Sequence, residues 1–384
     1  MMFRRELLRS LAAMCLPRWA TLVHPGERSN PFARGTDCAA IYRWAFGRVK
    51  ALRPEHSERL RMATTVAIDD PQVRALIRET RPMLNAIRQA ATIERCDWGI
   101  DTVTVRDLTK GHLDVFATDL IRIACLSGRR HAARHRFSEA LDDLFAGLTL
   151  AHRIGTRGVL MARLLECHDE VLAFRTLGRI LPLLDRSALD DLSRRLEALP
   201  DPEPASASIG PESRFILGML RDKLATMGAT LGGEDWAELR LSDDEAIALM
   251  RLTGGDRTAF LAHLESTGPA FAELARRLDL PRPSCWPALE EFASAVAKTQ
   301  PIVAMPIETA RTVRHVVDRM TALRAMLHAG VALTRSGMNA FQLIIDPYGN
   351  GPFALEQVGK GYLIRSALKD EGRAEVSLQV GDTG

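Results

Sequence analysis

Aromatic side chains, lysine and long apolar runs are all scarce in this 384-residue chain. Phe, Trp and Tyr make up 5% of it, and alanine and leucine dominate the apolar set. That balance favours helix, because both residues lose little side-chain freedom there. Only six of the 51 basic residues are lysine, scattered along the chain. Arginine in place of lysine reflects coding bias more often than phosphate recognition, so nucleic acid is disfavoured as a partner. A membrane-spanning helix needs roughly 20 apolar residues, and the stretch 115–126 is broken by Asp119 and Arg122. No two cysteines form a CxxC pair, which excludes a zinc ribbon or thioredoxin-type motif. GxGxxG, P-loop and GxSxG patterns are absent too, so no enzyme class is forced.

What is present describes a soluble, helix-rich body. Apolar residues at 46% and charged residues at 26% are ordinary for a globular protein. Length alone suggests two or three domains. The net charge of +3 is unevenly spread: residues 1–200 hold 32 Lys and Arg against 24 Asp and Glu, residues 201–384 hold 19 against 24. A basic front half is suited to an anionic partner. Cys15, Cys38, Cys96, Cys125, Cys167 and Cys285 are widely spaced, and a chain of this size does not need staples, so they read as buried free thiols.

The hydrophobic rhythm divides the chain. Residues 1–35 read as a flexible segment or a degraded anchor or signal: Arg4 and Arg5 precede a short apolar stretch that Arg18 interrupts. Residues 36–200 read as a helical-hairpin domain, with helices over 38–52, from Pro71 onward, and over 113–134, 138–155, 156–181 and 187–199. Pro82 should kink or split the second, Gly155 should act as a C-cap glycine, and Ser187 with Asp190 makes a capping pattern. Short connections imply antiparallel neighbours. The stretch 132–155 resembles a tetratricopeptide-type hairpin, but the 34-residue repeat is not kept. Residues 201–212 read as a linker, residues 213–338 as a second helical bundle, and residues 339–384 as a small β end. In the bundle, Ser242 to Glu245 forms a capping box and Asp256 a helix cap. A helix over 306–336, roughly 45 Å long, should pack along the whole of that bundle. Strands are expected over 354–358, 362–367 and 374–380, their apolar face covering one end of the helical body. The expected fold class is mainly α: an antiparallel helical-hairpin bundle or superhelix with a small C-terminal antiparallel β-sheet.

Few residues carry candidate chemistry. His131 and His135 stand four apart, sharing a face if helical, and Cys167-His168-Asp169-Glu170 is rich in ligand types. His131, His135, Cys167 and His168 are therefore the candidates for a zinc site, weighed against a solvated basic corner. Arg129, Arg130, Arg134 and Arg136 surround the two histidines at an expected turn and could grip phosphates electrostatically. Cys96-Asp97-Trp98-Gly99 reads as structural, with Trp98 a buried anchor. Asp346 and Asn350 could serve a hard cation, but two oxygen side chains fit a turn better.

Four segments together resemble an uncharacterised bacterial family of helical, often membrane-anchored proteins. They are Asn30-Pro31 with the run from Ala39 to Phe46, the Cys96 to Gly99 segment, the hairpin from Arg136 to Gly155, and the long helix leading to the run from Asp346 to Phe353 and to Gly361-Tyr362-Leu363-Ile364. In that family the end resembles the C-terminal part of type II secretion pseudopilins, where an Asp-Pro-aromatic-Gly turn precedes a short hairpin. The stretch 337–345 is too short for the Gly-x-Tyr-Pro segment usual there. The resemblance implies no catalytic residue.

Three functional readings follow. One is a non-enzymatic helical scaffold with a protein partner and no cofactor, either cytoplasmic or associated with the envelope, where its N-terminus could meet a membrane. Another is a metal-dependent hydrolase built on the His/Cys cluster. The last is a binder of anionic polymers through the arginine-rich turn. The architecture itself is testable from the apolar stripe of the long helix: Val317→Asp places an unpaired carboxylate there. A cost of several kcal/mol, set against a total stability of about 5–15 kcal/mol, should be read as a large drop in melting temperature.

Overall fold

In the computed structural model, residues 37–52, 56, 60, 62–63, 66–98, 113–156, 158–239, 241–369 and 375–381 are described. The anchor-like stretch 1–35, Gly99 and the turn Asp370-Glu371-Gly372 lie outside the described residues.

The first helical pair shows how sequence periodicity becomes packing. Helix α1 (Cys38–Lys50) buries Ile41, Tyr42, Ala45, Phe46 and Val49 along one side. Asp37 caps it, accepting from Ala39 N at 2.9 Å. Helix α2 (Pro71–Ala91) starts with proline at its first position, and Asp70 accepts from Gln72 N at 2.7 Å. Pro82 neither splits nor ends it. Pro82 lies on the exposed face, as does Arg78, whose carbonyl loses its donor to the proline. At the far end, Trp98 stacks over Tyr42 and Phe46 with centroids 5.8 and 6.1 Å away, and its Nε1 donates to Arg153 O at 2.9 Å.

The free-thiol expectation fails for one pair. Cys38 and Cys96 form a disulfide, their Cα atoms 5.0 Å apart across 58 residues. The helical pair returns the chain to its start, a proximity that linear spacing hides. Cys125, Cys167 and Cys285 are free and buried.

Helices α3 (Leu113–Ala132), α4 (Phe137–Gly155) and α5 (Leu160–Ile180) follow as closely packed neighbours. Gly155 belongs to α4 and is not its cap; Thr156 is. The glycine is needed for another reason: a Cβ there would lie 1.8 Å from Glu166 Oε2. Helix α6 (Arg186–Glu197) is capped by Asp185, which accepts from Ala188 N at 2.8 Å, and not by Ser187.

The 201–212 segment does not separate two bodies. A 3-10 turn spans Ala205–Ser208 and helix α7 (Ile209–Thr226) starts at once. Arg163 pairs with Glu203, Arg324 donates to Pro200 O at 2.6 Å and Leu199 O at 2.8 Å, and Glu212 accepts from Leu160 N at 2.9 Å. Residues 37–384 accordingly cluster as one unit. Short helices α8 (Gly233–Glu238), α9 (Asp243–Thr253), α10 (Arg257–Glu265) and α11 (Gly268–Leu278) come next, with the Ser242–Glu245 capping box and the Asp256 cap both formed. Helices α12 (Arg282–Thr299) and α13 (Pro301–Ala304) lead to α14 (Ile307–Ser336) and α15 (Met338–Gln342). The long α14 packs chiefly along α5 of the first half and only lightly on the second-half helices. Its buried stripe includes Val313, Val317, Met320, Leu323, Leu327 and Val331. Among the described residues, no helix is long and apolar enough to cross a membrane.

The chain ends in an antiparallel sheet of β1 (Ala354–Val358), β2 (Gly361–Arg365) and β3 (Ser377–Val380) in that order, with Ile364 opposite both Leu355 and Leu378. The fold is thus mainly α with a small C-terminal antiparallel sheet. That sheet is seated on α5 and α14 at two glycines. A Cβ on Gly178 would lie 2.6 Å from Gln379 O, and one on Gly330 would lie 3.2 Å from Val380 Cγ2. Gly381 N also donates to Gly178 O at 3.1 Å. Ile364, Val376, Leu378 and Val380 are buried as a result.

Gly178→Val should push β3 off this seat and destabilise the protein by about 1–3 kcal/mol in denaturant titration, as overpacking does. Ala354→Val on the exposed edge strand β1 should change stability by less than about 0.5 kcal/mol.

Candidate anion-binding cleft

The polar side of α2 is a row of guanidiniums. Arg74, Arg78, Arg81 and Arg88 recur at intervals of four, three and seven, which places them within one arc of the helix. The row extends about 21 Å from Arg74 to Arg88 at 1.5 Å per residue. Val73, Leu76, Met83 and Ile87 lie on the opposite, buried side, and Leu84 flanks the row at the floor of the cleft. Asp70 caps the N-terminus of α2 and no acidic residue follows in its first turn, so Arg74 is the next charge at that end of the helix.

The facing wall is the end of α3 and the turn into α4. Arg129, Arg130 and His131 occupy the last turn of α3, where cations complement the helix dipole. The helix stops at Ala132, and His135 takes a left-handed conformation, φ 57°. Arg136 N then returns to His131 O at 2.9 Å. Between this wall and α2 lies a cavity of about 560 Å³, lined on this side by Ser127, Arg130, His131, Arg134 and Arg136. No Asp, Glu, Phe, Tyr or Trp is among its described lining residues.

Carboxylates partner only part of this charge. Asp143, fully buried on α4, bonds Arg88 Nη2 at 2.6 Å and lies 3.7 Å from His131 Nε2. Burial pushes the Asp143 carboxyl above its ordinary range. Glu139 bonds Arg136 at 2.6 Å. Among the described residues, no carboxylate lies within ion-pair distance of Arg74, Arg78, Arg81, Arg130 or Arg134. The pKa of Arg130 is lowered by burial first and then by Arg134 and Arg74, with Asp69 opposing. His131 is pushed down to about 4, by burial first and then by Arg136 and Arg88. The cleft charge at neutral pH therefore comes from guanidiniums, not from the imidazole.

Of the arginines expected to bind anions, Arg130, Arg134 and Arg136 line the cleft. Arg129 turns elsewhere, donating to Ala63 O at 2.7 Å. The α2 arginines were missed because the helix was read for its apolar face alone; the spacing 74-78-81-88 was the available signal.

The four metal candidates do not assemble. His131 and His135 share no helix face, because His135 lies beyond the end of α3 with its ring edge-on to Phe137 at 5.7 Å. Cys167 is buried in α5, and burial first, then Glu170 and Glu166, raises its thiol pKa. A protonated thiol is a poor ligand. His168 is exposed on that helix. Among the described residues, one set of three ligand types gathers within 4.8 Å, Asp37 with Cys38 and Cys96, and there the sulfurs are joined to each other. Asp346 is likewise engaged, accepting from Tyr348 N at 2.9 Å and from Ser366 Oγ at 2.9 and 3.0 Å.

The chain matches no protein-family model, no curated protein and no solved structure.

The ligand-rich run on α5 has a measurable effect on stability instead. Glu170 is raised from 4.5 to about 8 by burial first and by the charge of Glu166, against Arg163 and Arg324. The folded chain keeps this proton where the unfolded chain has lost it. Its contribution to stability is therefore fully present below about pH 4.5 and is lost progressively as pH rises to about 8. Glu170→Gln should remove that loss. Its stability advantage over the parent should grow from pH 5 to 8 by at most about 1.4 kcal/mol per pH unit, read from denaturant titrations at each pH.

Proposed function

We propose that the protein is a non-enzymatic helical binding protein that captures an anionic ligand between α2 and the α3–α4 turn. The observation that carries this reading is the convergence on one cavity of Arg74, Arg78, Arg81, Arg130 and Arg134, none ion-paired among the described residues. Five guanidiniums held together repel one another, and an incoming polyanion relieves that repulsion while meeting donors of matching geometry. The scaffold reading of the sequence is retained, with the arginine-rich turn extended by the α2 row. The Cys38–Cys96 disulfide supports oxidising surroundings, in keeping with the envelope-associated setting that the family resemblance implies.

Retention on phosphocellulose tests the reading. The triple variant Arg78→Gln, Arg81→Gln, Arg134→Gln should elute at markedly lower salt than the parent. A control triple of equal charge on other exposed faces, Arg186→Gln, Arg194→Gln, Arg251→Gln, should elute close to it. Each cleft arginine lost should reduce the slope of log affinity against log salt by about one. Equal shifts in the two triples would mean that net charge alone is being read, and the cleft assignment would fall.

A further inference from the structure

The lining of the cleft is unusual in what it can offer a ligand. Guanidiniums are donors with no acceptor. Seven of them line the cavity, and the remaining polar side chains are Ser127, Asn85 and His131. A ligand with its own N–H or O–H donors finds only Ser127, Asn85 and His131 as side-chain acceptors there, so acceptor oxygens are the groups this lining matches best. An acidic peptide brings one backbone N–H per residue. Nucleosides bring amino and hydroxyl donors, and their bases need rings to stack on, whereas no Phe, Tyr or Trp and a single imidazole, His131, are among the described lining residues. The cavity, about 560 Å³, falls within the range of small-ligand sites and not of a single small ion. The unpaired arginines of the α2 row, Arg74 to Arg81, spread their charge over about 10 Å, which suits charges distributed along a ligand.

We infer that the ligand is an acceptor-only polyanion, a linear condensed phosphate without base or sugar. Bidentate guanidinium pairing with non-bridging oxygens recognises such a chain directly. The α2 row would hold successive phosphates, with Arg130 and Arg134 closing on them from the other wall. This inference rests on the anion-binding reading above and names the ligand class for that same cleft.

Isothermal titration calorimetry on the full chain at 150 mM salt tests it, with inorganic tripolyphosphate as probe. Comparators are a single-stranded oligothymidylate and a short oligoglutamate of similar charge. Tripolyphosphate should bind with one-to-one stoichiometry and at least roughly tenfold more tightly than either comparator. Arg78→Gln and Arg134→Gln, both at exposed positions, should each weaken it by roughly tenfold while keeping the parent melting temperature. Should either variant fold poorly, Arg74→Gln serves in its place. Oligothymidylate or oligoglutamate binding as tightly as tripolyphosphate would overturn the ligand class and leave anion binding standing. Binding of none of the three would overturn both.

Discussion

The structure depends on one helix that is covered over most of its surface. α5 packs against α3, α4, α14 and β3, so its polar residues cannot all turn to water. Arg163, Glu166 and Asp169 are buried on it. A buried charge is tolerated only when it is paired and hydrogen-bonded, and the surrounding elements supply the partners. Arg163 lies between Glu166 and Glu203; Glu166 also meets His152 Nδ1 at 3.0 Å; Asp169 accepts from Thr118 Oγ1 at 3.2 Å. Glu166 is on α5 itself and the other partners come from different segments, so these contacts tie α3, α4 and the 201–212 stretch to α5. Gly155 lets α4 approach the Glu166 carboxylate, and Gly178 lets the sheet approach the helix backbone.

The same burial explains the inertness of the ligand-rich run on α5. Desolvation raises the Cys167 thiol and the Glu170 carboxyl, so their neutral forms are the stable ones in the folded chain. Residues with a catalytic look in sequence are here held neutral by their surroundings. The cleft is the opposite case. Its guanidiniums are mostly exposed, water still screens their repulsion, and the helices carrying them are stabilised on their buried faces. Their charge can therefore be kept unpaired at modest cost.

The helix and strand pattern was legible because it is local. The capping box at Ser242, the Asp256 cap, the stripe on α14 and the three strands are written in residues a few positions apart. Misreadings arose where the deciding contact is distant. Gly155 is glycine because of Glu166, not because it ends a helix. The 201–212 stretch has the composition of a linker but is tied down by Arg163 and Arg324. Cys38 and Cys96 meet because α1 and α2 return the chain on itself. The cleft was half legible: Arg130, Arg134 and Arg136 stood out as a run, whereas the α2 row is interleaved with the apolar face and becomes a wall only once the helices are packed.

That interleaving separates a structural use of arginine from a binding use. Arg129 closes the last turn of α3, where the helix dipole favours a cation, and it is further engaged with Ala63 O. Arg282 and Arg314 meet at Asp318 in α14, at 2.7 and 3.2 Å, where Tyr348 Oη also donates at 3.0 Å. These side chains have a carboxylate or carbonyl to hold and a packing role to explain them. Arg74, Arg78 and Arg81 have neither: they lie on the outer face of a helix already anchored by Val73, Leu76 and Ile87. Guanidiniums without a carboxylate partner among the described residues, repeated on one face and opposed by two more across a cavity, are the placement on which the anion-binding proposal rests.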